Sequence, residues 1–131
     1  MESRACTIAR AKYAVARAEN ELITLSLKLE ELRKFRKWVG AQQGTAEFTH
    51  SLRIIDAALP FADRLISIAE DAKESFQRTN GSSESDQNWR VRHYITMETQ
   101  VTLAKGILAK ADSAAALCRS YLPVSGAGSL N

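Results

Sequence analysis

Apolar side chains recur every three or four residues along most of the chain, which is the spacing of one face of an α-helix. Short polar segments divide this pattern into three stretches, which predict helices over residues 3–39, 46–79 and 87–122, to within a few residues. No stretch shows the apolar and polar alternation that indicates a β-strand. The pattern therefore predicts an all-α protein with three long helices.

The first stretch keeps a seven-residue repeat in which two positions of each heptad are apolar. These positions are occupied by Ile8, Ala11, Val15, Ala18, Leu22, Leu25, Leu29, Leu32 and Val39. Such a sustained repeat is typical of a long helix that packs alongside other helices. Gly40 follows directly, and we expect it to end the helix because glycine readily adopts the left-handed conformation of a C-cap.

The other two stretches carry similar core repeats. Their positions are Phe48, Leu52, Ile55, Leu59, Ala62, Ile66, Ala69 and Phe76, then Tyr94, Met97, Val101, Ala104, Leu108, Ala111, Ala115, Cys118 and Leu122. Pro60 lies on the polar face of the second stretch, and we expect it to kink or divide that helix because proline has no amide hydrogen.

A second apolar stripe widens the core face of both these helices. It consists of Ile54, Ala58, Phe61, Leu65 and Ile68 in the second helix and Leu103, Ile107, Ala114, Leu117 and Tyr121 in the third. We expect this stripe to be buried, because a helix that contacts two neighbours needs a broad apolar face. Gly106 is interpreted as a tolerated surface glycine in preference to a point of close helix approach.

Three helices of similar length with short connections favour an up-down-up antiparallel three-helix bundle with long coiled-coil-like helices. Residues 1–122 would form this single domain. Residues 123–131, which begin with Pro123, have no apolar periodicity and are predicted to be a disordered tail.

The composition agrees with one globular domain, since 45% of the 131 residues are hydrophobic and 25% are charged. No apolar run approaches the roughly 18 residues that a membrane-spanning helix needs.

The basic first 20 residues resemble an amphipathic presequence, but the heptad runs through them without a break, which favours a permanent helix. Cys6 and Cys118 are expected at opposite ends of the bundle, and reduced thiols favour a cytoplasmic protein.

The first helix carries a further apolar row roughly opposite its core seam, which we call the outer row. It comprises Cys6, Ala9, Tyr13, Ala16, Asn20, Ile23 and Leu27. In an isolated bundle this side should be polar, so the row predicts an interface, most simply between two copies of the chain. Asn20 lies in the middle of the row, where a single polar residue can set the register between paired helices. The alternative is that the alanines and three large side chains form the row by chance.

A basic cluster with aromatic residues lies at the end of the first helix, and the bundle topology adds residues of the other two helices. This basic pole comprises Arg33, Lys34, Arg36, Lys37, Trp38, Arg53 and Arg119, with His50 nearby. It could bind phosphates, with Trp38 stacking on bases. The competing interpretation is that the cations stabilise the helix C-terminus and the aromatic rings close the core.

No pattern in the sequence indicates catalysis, a metal or a cofactor. His50 and His93 are the only histidines, and the predicted topology places them at opposite poles. Asp56, Asp63 and Glu70 form a ridge with steps of about 10 Å, too far apart for paired carboxylate chemistry. We interpret this ridge as a solvated face, with docking of a basic partner as the alternative.

Together these features predict a non-enzymatic helical protein-protein interaction module, such as an adaptor, regulator, inhibitor or chaperone-like subunit. It would act through the outer face of helix 1, as a homodimer or within a larger assembly. The alternative function is association with nucleic acid through the basic pole.

Overall fold

The computed structural model describes residues 4–40 and 44–122, and all regular structure in these ranges is helical. Helix α1 spans Arg4–Val39, α2 spans Ala46–Arg78 and α3 spans Glu84–Ser120. Each helix packs against the other two, which confirms the predicted all-α three-helix bundle. The predicted tail, residues 123–131, lies outside the described residues.

Local capping interactions set the helix ends. Gly40 has a φ of 53° and its amide donates to the Arg36 carbonyl at 3.0 Å, as expected of a C-cap. Thr45 caps α2, since its hydroxyl accepts from the Phe48 amide at 3.2 Å. The third helix starts three residues and ends two residues before its predicted bounds, within the stated tolerance. Ser83, whose hydroxyl accepts from the Asp86 amide at 3.1 Å, starts the helix at residue 84, and it ends at residue 120.

Pro60 does not divide α2, which is continuous through it, so the expected division was wrong, whereas the alternative, a kink, stays a prediction. The ring is exposed, as its place on the polar face predicted. Ile55 and Ala62 on either side of it are completely buried. Packing of these flanking residues holds the helix together where one backbone hydrogen bond is missing.

Ion pairs between helices show the chain directions. Arg36 contacts Asp56, and Glu19, 17 residues earlier in α1, contacts Lys73, 17 residues later in α2, so α1 and α2 are antiparallel. Helices α1 and α3 run parallel, because a residue further along α1 pairs with a residue further along α3. The α1–α3 pairs include Glu21 with Lys105 at 2.9 Å and Lys28 with Asp112 at 3.4 Å.

The core follows the predicted seams. In α1, every seam residue from Val15 to Val39 is buried, whereas the side chains of Ile8 and Ala11 lie outside the described ones. Helices α2 and α3 share the most extensive contact, and buried alanines on both sides allow their backbones to approach closely. These alanines are Ala58, Ala62, Ala69, Ala72, Ala104, Ala111, Ala114 and Ala115.

The widened stripes of α2 and α3 are only partly buried, so the expectation that a second neighbour covers them was wrong. Ala58, Leu65 and Ala114 are buried, and Ile54, Ile68 and Ile107 are half-buried. The four remaining side chains, Phe61, Leu103, Leu117 and Tyr121, are between 44% and 52% exposed. The reason is that α1 packs along the opposite flank of both helices, as its ion pairs show.

The two cysteines are far apart, as expected. Cys118 is completely buried near the end of α3, and Cys6 is exposed near the start of the parallel helix α1.

Within the described ranges, no helix combines the length and the hydrophobicity required to cross a bilayer.

Candidate interaction surfaces

The outer row of α1 is exposed along its described length. Tyr13, Ile23 and Leu27 are 74%, 56% and 67% exposed, which are high values for large apolar side chains. Cys6 and Asn20 are exposed as well. The structure thus places all five predicted interface residues on one surface of a single helix.

Ion pairs border the outer row on both sides of α1. On the α2 side, Glu19 contacts Lys73 at 3.8 Å. On the α3 side, Glu21 contacts Lys105, and Arg17 lies 3.9 Å from the Glu98 carboxylate. These pairs use the charged flanks of α1 within the bundle, so the apolar row between them is left to face outward.

Asn20 lies on the α3 side of the row, above a shallow depression formed with Thr24 and Lys105. Its backbone carbonyl accepts a hydrogen bond from the Thr24 hydroxyl at 3.1 Å. The exposed side chain remains able to donate to and accept from a facing helix, which is the role that the sequence suggested.

Two cations of the basic pole, Arg33 and Arg36, pair with the acidic ridge of α2. Arg36 makes a bidentate contact with Asp56, at 2.6 and 3.1 Å, and also donates to the Gly40 carbonyl at 3.1 Å. Arg33 lies 3.3 Å from Asp63. The pKa of Arg36 is raised, chiefly by its hydrogen bond to Asp56 and against the desolvation that lowers it. The two predicted surface features therefore meet as one interhelical contact.

The aromatic residues of this pole serve the core more than the surface. Phe35 is 5% exposed, and the Arg119 guanidinium stacks over its ring, 4.5 Å from the ring centre. Trp38 packs beside Phe35, with the ring centres 6.2 Å apart, and remains 38% exposed. Of the predicted contact residues, Lys34, Lys37 and Arg53 are exposed and make no ion pair within the described part of the chain.

An apolar groove between α2 and α3 was missed as a site by the sequence-based interpretation. The α2–α3 groove has a volume of about 720 Å³ and lies on the side of the bundle away from α1. Its principal apolar residues are Ile54, Phe61, Ile107 and Leu117, with Lys110 on the rim. The sequence contained the signal, namely the second stripe, but periodicity does not tell which flank of a helix a third helix covers.

The opposite pole has a smaller basic and aromatic cluster at the start of α3. Trp89 stacks on His93 with the ring centres 5.6 Å apart, and the Arg92 guanidinium lies 5.4 Å from the Trp89 ring centre. His50 is at the start of α2 and therefore at the other end of the bundle. Among the described residues, no group of three acidic, histidine or cysteine side chains has the arrangement of a metal site.

Comparison with known proteins adds no family assignment, since no family model, curated protein or solved structure matches the chain. Any account of function therefore depends on the surfaces described above.

Proposed function

We propose that this protein is a non-enzymatic helical interaction module whose outer row on α1 binds a helix of a partner protein. The observation that carries the proposal is the exposure of Tyr13, Ile23 and Leu27 on one face of a helix whose other faces are engaged. Complete burial of a large apolar side chain contributes roughly 1.5 to 3 kcal/mol, which offsets part of the entropy cost of association.

The bundle would act as a rigid support for this helix. Seven of the described seam residues anchor α1 from beneath, and its flanks are tied to both neighbours by ion pairs. A rigid, preformed row loses little conformational entropy on binding, which favours recognition of a helix with apolar residues at three- and four-residue spacing.

A photo-crosslinking phenylalanine analogue at position 27 tests the proposal in cells that make the protein. We expect a discrete protein adduct at this position and none at position 67, which is exposed on the polar face of α2. Identical adducts at both positions, or none at position 27, would contradict the proposal.

A charged double variant, Ile23→Asp with Leu27→Asp, should abolish a crosslink formed from position 13, because both aspartates would have to be buried without a partner. The control, Ser67→Asp with Gln77→Asp, adds the same charge on exposed positions of α2 and should preserve the crosslink. Circular dichroism should show unchanged helicity in both variants, since the core seam is intact. Loss of helicity in the first variant would mean that the outer row is part of the core.

A further inference from the structure

The α2–α3 groove is an open apolar surface of about 720 Å³, and it lies on the opposite side of the bundle from the outer row. Phe61 and Leu117, which line the groove, are each 52% exposed. Ile54 and Ile107 line the floor between the two helices. A surface with this many large apolar side chains marks an interface in a folded protein.

The groove side of α2 has the spacing of a self-complementary surface. Ile54 and Ile68 are each seven residues from Phe61, or about 10 Å along the helix. When a second copy of α2 is laid antiparallel on the first with Phe61 at the centre, each Ile54 faces the other copy's Ile68. Each Phe61 then faces its own counterpart. In an isologous interface residue i contacts residue j and j contacts i, so the equal spacing places apolar side chains against apolar side chains on both sides of the twofold axis.

The charges at the two ends of this row complement each other in the same arrangement. Arg53 precedes Ile54 and Asp71 follows Ile68, and both are exposed on α2. Neither makes an ion pair within the described residues. They are separated by 18 residues, about 27 Å along one helix, so they cannot contact each other within one copy. Arg53 lies eight residues before Phe61 and Asp71 ten residues after it, so the antiparallel copy brings each Arg53 to within about 3 Å, along the helix axis, of the level of the other copy's Asp71.

Lys110 is compatible with this arrangement because it lies on the rim of the groove and is exposed. A lysine at an interface edge can place its aliphatic stem on apolar surface and extend its ammonium group into water.

We infer that the α2–α3 groove binds a second copy of the chain, in an antiparallel twofold pairing centred on Phe61. The inference is independent of the proposed function, since it uses the opposite side of the bundle. The resulting dimer would present two outer rows on its two outer sides and would bind two partner helices at once.

Analytical ultracentrifugation of the full chain between about 1 and 100 µM tests the pairing, because dimerisation follows mass action. We expect a dimer in the wild type. Phe61→Asp should weaken it at least 100-fold, since about 1.5 kcal/mol or more is lost from each of two buried rings. The control Tyr13→Asp, which lies on the outer row, should leave the dimer intact. A monomeric wild type, or a Phe61→Asp variant that still dimerises, would overturn the inference.

A charge exchange tests the antiparallel register and keeps the inference falsifiable if Phe61→Asp unfolds the chain. Arg53→Asp and Asp71→Arg should each weaken the dimer by roughly tenfold, from two symmetry-related surface pairs. The double variant should recover the wild-type affinity, because opposite charges face each other again across the twofold axis. Absence of recovery would refute the register. Dimerisation lost with Tyr13→Asp and retained with Phe61→Asp would instead place the second copy on the outer row.

Discussion

At the scale of single residues, burial separates two cysteines that the sequence alone treats alike. Cys118 is completely enclosed, and its sulfur lies 3.9 Å from the Phe48 carbonyl oxygen. Burial raises the pKa of the Cys118 thiol, against the lowering effect of the nearby cations of Arg36 and Arg119. Cys6 is exposed near the start of α1. Only the thiolate reacts with electrophiles, so the two positions should differ in reactivity.

We expect iodoacetamide at neutral pH to alkylate Cys6 quickly and Cys118 only after denaturation, with mass spectrometry as the measurement. Because the pKa of Cys118 is higher in the folded chain, the unfolded chain loses this proton first as pH rises. The contribution of Cys118 to stability is therefore complete below the thiol's unfolded pKa and declines at more alkaline pH. The variant Cys118→Ala should therefore lose less stability than the wild type as the pH rises through the alkaline range. Equal alkylation rates at the two cysteines in the folded protein would contradict this account.

At the scale of elements, two glycines show opposite relations to their helices. Gly106 lies within α3 on an exposed surface, and a Cβ added there would meet no atom within 4 Å. This geometry confirms its interpretation as a tolerated surface glycine. Gly40 ends α1 with a positive φ of 53°, and an added Cβ would lie 3.3 Å from the Lys37 carbonyl oxygen. Gly106 therefore lowers the stability of α3, whereas the left-handed backbone at the end of α1 requires a glycine at position 40.

We expect Gly106→Ala to raise the free energy of unfolding by up to about 1 kcal/mol, because alanine loses less backbone entropy in a helix. The thermal midpoint should rise by about 4 °C. Gly40→Ala should lower stability by about 1 kcal/mol, since a side chain strains the left-handed conformation. Thermal denaturation followed by circular dichroism measures both effects. A destabilised Gly106→Ala variant would mean that this surface of α3 is covered in the assembled protein.

At the scale of the whole molecule, charge is distributed so that the helices neutralise each other. Residues 1–40 carry nine basic and five acidic side chains, while the rest of the chain is slightly acidic. In the bundle, Arg33 and Arg36 meet Asp63 and Asp56 of α2. Within the described residues, the cations of the basic pole that make no ion pair are Lys34, Lys37, Arg53 and Arg119, of which Arg119 stacks on Phe35. Binding of nucleic acid at this pole remains a prediction, with only these few charges to support it.

Fluorescence titration with single- and double-stranded DNA tests the nucleic-acid alternative. With so few unpaired cations, we expect at most weak binding at about 50 mM salt that disappears at about 150 mM. If binding is measured, Lys34→Glu with Lys37→Glu should reduce it and flatten its salt dependence. Lys12→Glu with Arg64→Glu is the control, because it makes the same change in net charge away from the pole. Binding that both variants weaken equally would reflect overall charge and would exclude a site at the pole.

The sequence by itself determined the three helices, the C-cap at Gly40 and the buried seams, since helix periodicity and capping depend on residues within a few positions of each other. It also marked the outer row of α1, because a row opposite a core seam must face away from the seam's neighbours. Only the tertiary structure decided that Phe61 and Leu117 remain exposed and that Arg36 contacts Asp56. Both depend on which flank of α2 and α3 is covered by α1. Periodicity defines the width of an apolar face, but the neighbour that buries each edge is set by packing between residues far apart in the chain.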